Sequence, residues 1–271
     1  MGTDFTGKVA VVLGASSARG TGWAIAEALA AQGAKVVVGA RTLAPLQELA
    51  KKTGGIAVRC DATSEDDIKL LIATALKEYG QLDIAVNAAG SALMGPIETA
   101  ETATLQSSLD TNYLANVYFV KHAAAAMGNG GSIVIISTMA TTNVMGPLFP
   151  YACAKAATDC LVRYAAVEYG GRNIRVNSVQ PGPILSDLTW DLLTNPQVKE
   201  RMEYEIPLKR IGVPSDFANA VLWLAGPCYA TGINLQLNGG HFLQRFPRPE
   251  ELAAKVEDAG RPQHDREQGA T

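Results

Sequence analysis

The chain has 271 residues, 48% hydrophobic and 18% charged, with 23 Lys plus Arg against 26 Asp plus Glu and a formal net charge of -3. This holds enough apolar material for one sizeable core and excludes a disordered, collagen-like or coiled-coil chain. The near-neutral balance excludes nucleic acid as the main partner, because phosphate binding needs a clustered positive field.

From the N-terminus, MGTDFTGKVAVV lacks the basic region, apolar stretch and cleavage site of a secretory signal. Strand-like apolar runs follow at Lys8–Leu13, Lys35–Gly39, Ile56–Cys60, Leu82–Val86, Ser132–Ile136, Ile174–Ser178 and Ile233–Leu237. They read as continuous Val/Ile runs, the mark of strands buried on both faces. Segments of 3.6-residue period lie between them, such as Ile25 with Leu29 or Leu70, Leu71 and Leu76. Strict alternation predicts an α/β fold: one doubly wound, seven-stranded parallel sheet with helices on both sides. A single domain over residues 1–240 is expected. Residues 241–271 form a C-terminal extension, with a short helix expected near Glu250–Asp258 and a mobile polar end. No apolar run reaches the ~20 residues that span a bilayer. Cys60, Cys153, Cys160 and Cys228 contain no CxxC pair and read as small core residues of a reducing compartment. His122, His241 and His264 show no metal-ligand spacing, so no metal is expected. A soluble, cytoplasmic protein with neither membrane nor nucleic-acid partner is the expectation.

Immediately after the first strand stands Gly14-Ala-Ser-Ser-Ala-Arg-Gly20-Thr-Gly22, opening the helical pattern WAIAEALAAQG. Glycine there permits the sharp turn from strand to helix and lets backbone approach a pyrophosphate, which a helix N-terminus favours. Gly14, Ser16, Gly20 and Gly22 are the expected cradle of a Rossmann-type dinucleotide site. An acidic residue ending the second strand would hold the ribose hydroxyls of NAD. Here Ala40 and Arg41 stand in that place. Arg41, and Arg19 in the glycine loop, suit a ribose 2′-phosphate, so NADP is the expected cofactor.

Further motifs occur in a fixed order: Asn87-Ala-Ala-Gly90 after the fourth strand, Asn112 in the next long helix, Tyr151-Ala-Cys-Ala-Lys155, Pro181-Gly182 after the sixth strand, and Asn238-Gly-Gly240. Over roughly residues 5–240 the chain resembles the short-chain dehydrogenase/reductase family in its single-domain form. Three features depart from that pattern. The glycine loop is two residues longer than the usual GxxxGxG, a spacing similar to the enoyl-reductase branch. Thr138 stands thirteen residues before Tyr151, where the family has Ser. Ser186 likewise replaces a usual Thr.

The resemblance implies a carbonyl reductase or alcohol dehydrogenase with Asn112, Thr138, Tyr151 and Lys155 as its catalytic group. Tyr151 would donate a proton in reduction and accept one in oxidation. Free tyrosine has a pKa of ~10, and an ammonium four residues on, on the same helix face, would lower it. Lys155 would also hold the nicotinamide ribose. Thr138 would bond the substrate oxygen; Ser137 is the competing hydroxyl, and only one of two consecutive residues can face the site. Asn112 would support a water in a proton relay. Asn87 and Gly90 would line the cofactor site. Asp61 and Ala62 would contact the adenine, although Asp61 equally suits the turn before SEDD. Pro181 and Gly182 would line the cofactor site, and Ile184 and Ser186 just after them would face the nicotinamide carboxamide. The segment PILSDLTWDLLTNPQVKERMEYEIP carries Trp190, and with Met94, Met139 and Met145 it suggests an apolar pocket for a bulky or cyclic ketone or alcohol. Helices around Thr102–Met127 and Tyr151–Tyr169 would pair copies into a homodimer or homotetramer, and Phe242, Leu243 and Phe246 would reach a neighbouring subunit. The alternatives are a 3-oxoacyl-type or enoyl reductase and a non-catalytic NADP-binding regulator. The enoyl branch spaces its tyrosine and lysine seven apart, yet Leu148 stands seven before Lys155.

Overall fold

Val9, Ala10, Val11, Val12 and Leu13 are all buried, so neither face of their strand meets water. The same holds through the centre of a seven-stranded sheet in this computed structural model, which describes residues 3–252. Its strands are β1 (Val9–Leu13), β2 (Lys35–Ala40), β3 (Ile56–Arg59), β4 (Ile84–Asn87), β5 (Gly131–Ile136), β6 (Ile174–Pro181) and β7 (Asn234–Leu237). All pair in parallel, in the order β3-β2-β1-β4-β5-β6-β7.

Alternate side chains of each strand serve two cores. Ala10, Val12, Val36, Val38, Val86 and Val134 pack on α1 (Thr21–Ala31), α2 (Leu43–Thr53) and α9 (Pro214–Ala225). Val9, Val11, Leu13, Val37, Ile133 and Ile135 pack on α3 (Glu65–Tyr79), α5 (Ala115–Ala126) and α6 (Phe149–Gly170). Each fully buried aliphatic side chain contributes about 1.5–3 kcal/mol. Beyond the sheet, α7 (Trp190–Leu193) and α8 (Pro196–Glu205) cover a small third core of Met139, Leu193, Val198, Met202, Ile206, Ile211 and Phe246.

Strand order reverses between β1, flanked by β2 and β4, and the loops leaving β1 and β4 diverge at that switch point, the place where such sheets bind ligands. The expected strands are present within two or three residues at each end. The expected long helix from Thr102 is α4 (Thr102–Leu109), a π turn over Asp110–Leu114, then α5. Of the helix expected near Glu250–Asp258, a 3-10 turn occupies Pro249–Glu251; residues 253–258, and the end expected to be mobile, lie outside the described residues. Cys153 is exposed, which corrects the expectation that all four cysteines are core residues. Among the described residues no helix is long and apolar enough to cross a membrane.

Candidate active site

Gly14 ends β1 with φ +88°, a left-handed conformation, and a Cβ there would collide with the Ala89 amide nitrogen. That close approach sets the glycine loop against the loop after β4. Two adjoining cavities result, sharing Gly14, Ser17 and Ala88–Gly90. Gly20 caps α1 without a side-chain bond, no acidic residue occupies the first turn, and Thr21 and Gly22 of that uncapped turn line the larger cavity. An uncapped helix N-terminus favours an anion there.

The larger cavity, about 380 Å³, brings together Gly14, Gly20, Gly22, Gly90, Thr138, Tyr151, Lys155, Pro181, Gly182, Ile184 and Ser186. Tyr151 and Lys155 lie one turn apart near the start of α6, and Thr138 follows β5. Lys155 is buried, and its Nζ donates to the Ile136 carbonyl at 2.8 Å and stands 6.0 Å from the Tyr151 ring centroid. Burial pushes the ammonium down to about 8, against the Asp159 carboxylate, which raises it. The phenol is pushed up to about 12, mainly by burial; a bond with the Thr138 hydroxyl lowers it and Asp159 raises it. The direction is opposite to the lowering expected from Lys155, because desolvation dominates and the ammonium is moored elsewhere. Ser137 also lines the cavity, its buried hydroxyl unpartnered, whereas the Thr138 hydroxyl accepts from Ala140 N at 3.2 Å and acts to lower the phenol pKa.

Asn112 sits in the π turn, fully buried. Its Oδ1 accepts from Ser91 N at 3.2 Å, and its Nδ2 donates to the Ser91 and Ser108 carbonyls. Its own carbonyl accepts from Thr158 Oγ1 at 2.6 Å and Asn116 Nδ2 at 2.8 Å. Both lone pairs of that carbonyl are engaged. The residue expected at a water relay is therefore a clamp on the loop after Gly90. A Cβ on Gly90 would stand 3.1 Å from Asn112 Oδ1 and 3.4 Å from Lys155 Nζ, so a glycine keeps that corner open.

The second cavity, about 210 Å³, is lined by Gly14, Ser16, Arg41, Asp61, Ala62 and Gly90 among others. Asp61 lines the cavity, and it accepts from Thr63 N and Oγ1 at 3.0 and 2.8 Å, the turn expected before SEDD; these bonds hold its carboxyl below the usual range. Two expected cofactor contacts are corrected. Asn87 is fully buried behind the wall, donating to Asn116 Oδ1 and accepting from Ala89 N. Arg19 turns to the segment after β6, its Nε on Asp187 Oδ1 at 2.5 Å and its guanidinium 4.1 Å over the Trp190 ring. Trp190 is thereby taken from the pocket, and Met94 is 65% exposed and outside it, whereas Met139 and Met145 line it. The sequence does not single out Asp187, Thr189 or Met202, and Phe246, expected at a neighbouring subunit, lines this cavity. Thr189 accepts from Ser186 N and donates to the Ile184 carbonyl, stapling that turn. Phe246 packs into its own chain's third core and lines the cavity.

The sequence model of a family described as enoyl-(acyl carrier protein) reductase matches residues 14–241. A 7alpha-hydroxysteroid dehydrogenase of Escherichia coli (strain K12) is 35% identical over 243 residues, covering 86% of this chain and 94% of that protein. A short-chain type dehydrogenase/reductase from Mycobacterium ulcerans superposes with a TM-score of 0.86 at 29% identity, covering 93% of this chain and all of the other. A 7 alpha-hydroxysteroid dehydrogenase complexed with NADH and 7-oxo glycochenodeoxycholic acid superposes with a TM-score of 0.81 at 33% identity, over 88% of this chain and 95% of that one.

Proposed function

Because the chain belongs to the short-chain dehydrogenase/reductase family and is an oxidoreductase of that type, we propose that it interconverts a ketone and a secondary alcohol with NADP, on a bulky apolar or cyclic substrate. The observation that carries this is one cavity lined by Tyr151, Thr138 and Lys155 together with the uncapped start of α1. That arrangement fits a dinucleotide: the amides of Thr21 and Gly22 suit its pyrophosphate, Arg41 its 2′-phosphate, and Gly90 leaves room beside Lys155. When bound, the nicotinamide supplies or accepts the hydride.

Tyr151, kept protonated at neutral pH by its burial, donates to the developing alkoxide in reduction. Thr138 orients the carbonyl oxygen. Lys155 adds positive charge beside the phenol and holds the coenzyme ribose. Asn112 positions the Ser91 loop. Apart from Lys155, the residues lining the larger cavity carry no charge, and Leu148, Leu188, Leu192, Met202 and Phe246 make its walls apolar. A relative that holds a 7-oxo bile-acid conjugate supports a rigid polycyclic ketone as substrate. Tyr164 and Val167, 67% and 84% exposed on α6, support pairing of copies through that helix. The longer glycine loop and the description of the matching family model favour enoyl reduction as second reading; Leu148 in place of a tyrosine seven residues before Lys155 weighs against it.

The test follows NADPH and NADH oxidation with cyclic, aromatic and 3-oxoacyl carbonyls. Turnover of a cyclic ketone with NADPH is expected, and Tyr151→Phe lowers kcat by roughly 10²–10⁴ while NADPH still binds. Equal use of the two coenzymes defeats the NADP assignment. Undiminished turnover by Tyr151→Phe defeats the mechanism.

A further inference from the structure

Asp159 is a carboxylate, 5% exposed, with no part in the chemistry above. It lies on α6 one turn past Lys155 and two past Tyr151. Its Oδ2 accepts from Gln180 Nε2 at 2.7 Å, and the same amide nitrogen reaches Thr141 Oγ1 at 2.9 Å. The Thr141 hydroxyl donates in turn to the Thr138 carbonyl at 3.0 Å. Proton counting closes: the amide spends its two hydrogens, and the hydroxyl accepts one bond and donates one. A chain of hydrogen bonds therefore runs from α6 through β6 to the main chain of Thr138, which lines the same cavity as Tyr151.

The groups around Asp159 from other elements are neutral: Gln180 and Ser178 of β6 at its carboxylate, Asn234 of β7 on its main-chain carbonyl, and Thr141 of the turn Met139–Thr141 reached through Gln180. Ser178 Oγ lies 3.4 Å from Oδ1 but only 2.8 Å from Asn234 Oδ1, so its single proton goes to Asn234. The titratable groups it acts on are Lys155 and Tyr151 of its own helix. A carboxylate buried on neutral donors costs several kcal/mol, and an aliphatic residue would close α6 on β6 without that cost. Packing leaves the charge unexplained.

We propose that Asp159 is a positioning residue for the reaction: through Gln180 and Thr141 it fixes the main chain of Thr138 in the cavity that Tyr151 lines. Its charge, from the same helix, favours the protonated Tyr151–Lys155 pair. The inference rests on the carbonyl–alcohol activity proposed above. Removing the charge lowers the proton affinity of both members of a coupled pair, so their macroscopic titration moves to lower pH.

The experiment measures kcat/KM for alcohol oxidation against pH in wild type, Asp159→Asn and Gln180→Met, with NADPH affinity as the check on folding. Asp159→Asn should move the acidic limb about one unit to lower pH. Gln180→Met keeps the charge and breaks the chain; its kcat should fall roughly tenfold or more with the limb in place and NADPH binding intact. In an active wild type, an unmoved limb in Asp159→Asn together with kcat within twofold for both variants overturns the proposal. Should Asp159→Asn fail to bind NADPH, Gln180→Met decides alone, and wild-type kcat in it overturns the role. A wild type inactive on every carbonyl and alcohol with either coenzyme overturns the proposed function itself, and this inference with it.

Discussion

Asp187, one residue past the expected nicotinamide contact Ser186, closes on Arg19 of the glycine loop, Oδ1 to Nε at 2.5 Å, while Ser17 donates to its other oxygen. The two arginines that suit a 2′-phosphate are thereby unequal: Arg19 already has a carboxylate and the Trp190 ring, whereas Arg41 lines the smaller cavity. Arg41→Asp should raise KM for NADPH about 10–100-fold, the worth of one charge-assisted contact plus the new repulsion, and should lower KM for NADH. Arg19→Ala should cost less than a tenth of that loss. Steady-state KM values for both coenzymes check the ranking, and an Arg19 effect equal to that of Arg41 would sink it.

The Asp187 carboxylate also sets a negative charge beside a loop suited to an anion. Its bonds to Ser17 and Arg19 hold it below the usual carboxylate range, so it is ionised at neutral pH. Asp187→Asn should tighten NADPH binding about threefold. The effect is small because the pair is largely exposed, 54% and 38%, and such pairs are worth under about 1 kcal/mol. Fluorescence titration of NADPH at low and high salt measures it; weaker binding in the variant would refute it.

The sheet was legible in the sequence because a strand buried on both faces writes itself as an unbroken run such as VAVVL, and the Tyr151/Lys155 spacing is local to one helix turn. Contacts between distant segments were not. Asp187 lies 168 residues from Arg19, and nothing in SDLTW points to the glycine loop. Asn112 reads as a misplaced helix residue until the π turn frees its carbonyl for Thr158 and Asn116, and a π turn leaves no periodic trace. Lys155 was read as a partner of Tyr151 because spacing reports proximity; that its proton goes to the Ile136 carbonyl depends on where β5 ends.

The displaced titration of Lys155 predicts a pH dependence of stability. Its folded pKa, down at about 8, lies below the ordinary lysine value of 10.5. Between those values the unfolded chain binds a proton that the folded chain does not, so this group's contribution rises with pH across the window and is lost as pH falls through about 8. Tyr151 acts oppositely: pushed up to about 12, its contribution is intact below pH 10 and lost as pH rises through about 12. Lys155→Met abolishes the first effect. The variant should therefore gain stability over wild type at pH 7, and that gain should shrink by on the order of 2 kcal/mol by pH 9.5. Denaturant midpoints at the two pH values decide it, and a pH-independent difference would show that the ammonium is not destabilised by its site.

Phe246 belongs to the extension, yet it packs edge-on to His241 at 4.6 Å, is 8% exposed, and joins Met139, Leu193 and Met202 at the cavity wall. The arm is folded on itself by Arg245, whose two nitrogens meet Glu251 at 2.6 and 2.7 Å, and is tied to α8 by Arg245 with Glu205 at 3.7 Å and Glu251 with Arg201 at 3.9 Å. Phe246→Ala removes both a wall and part of the third core, so it should cost about 2–3 kcal/mol, less than a full core Phe because one edge faces the cavity. KM for compact ketones should rise several-fold while bulkier ketones gain relative kcat/KM, with NADPH affinity unchanged. Arg245→Ala should reproduce the direction weakly, since an exposed pair contributes under about 1 kcal/mol. Native mass should not change in either variant, because the Phe246 ring is buried against its own subunit. A loss of oligomer mass with unaltered substrate selectivity would instead assign the arm to a neighbouring copy.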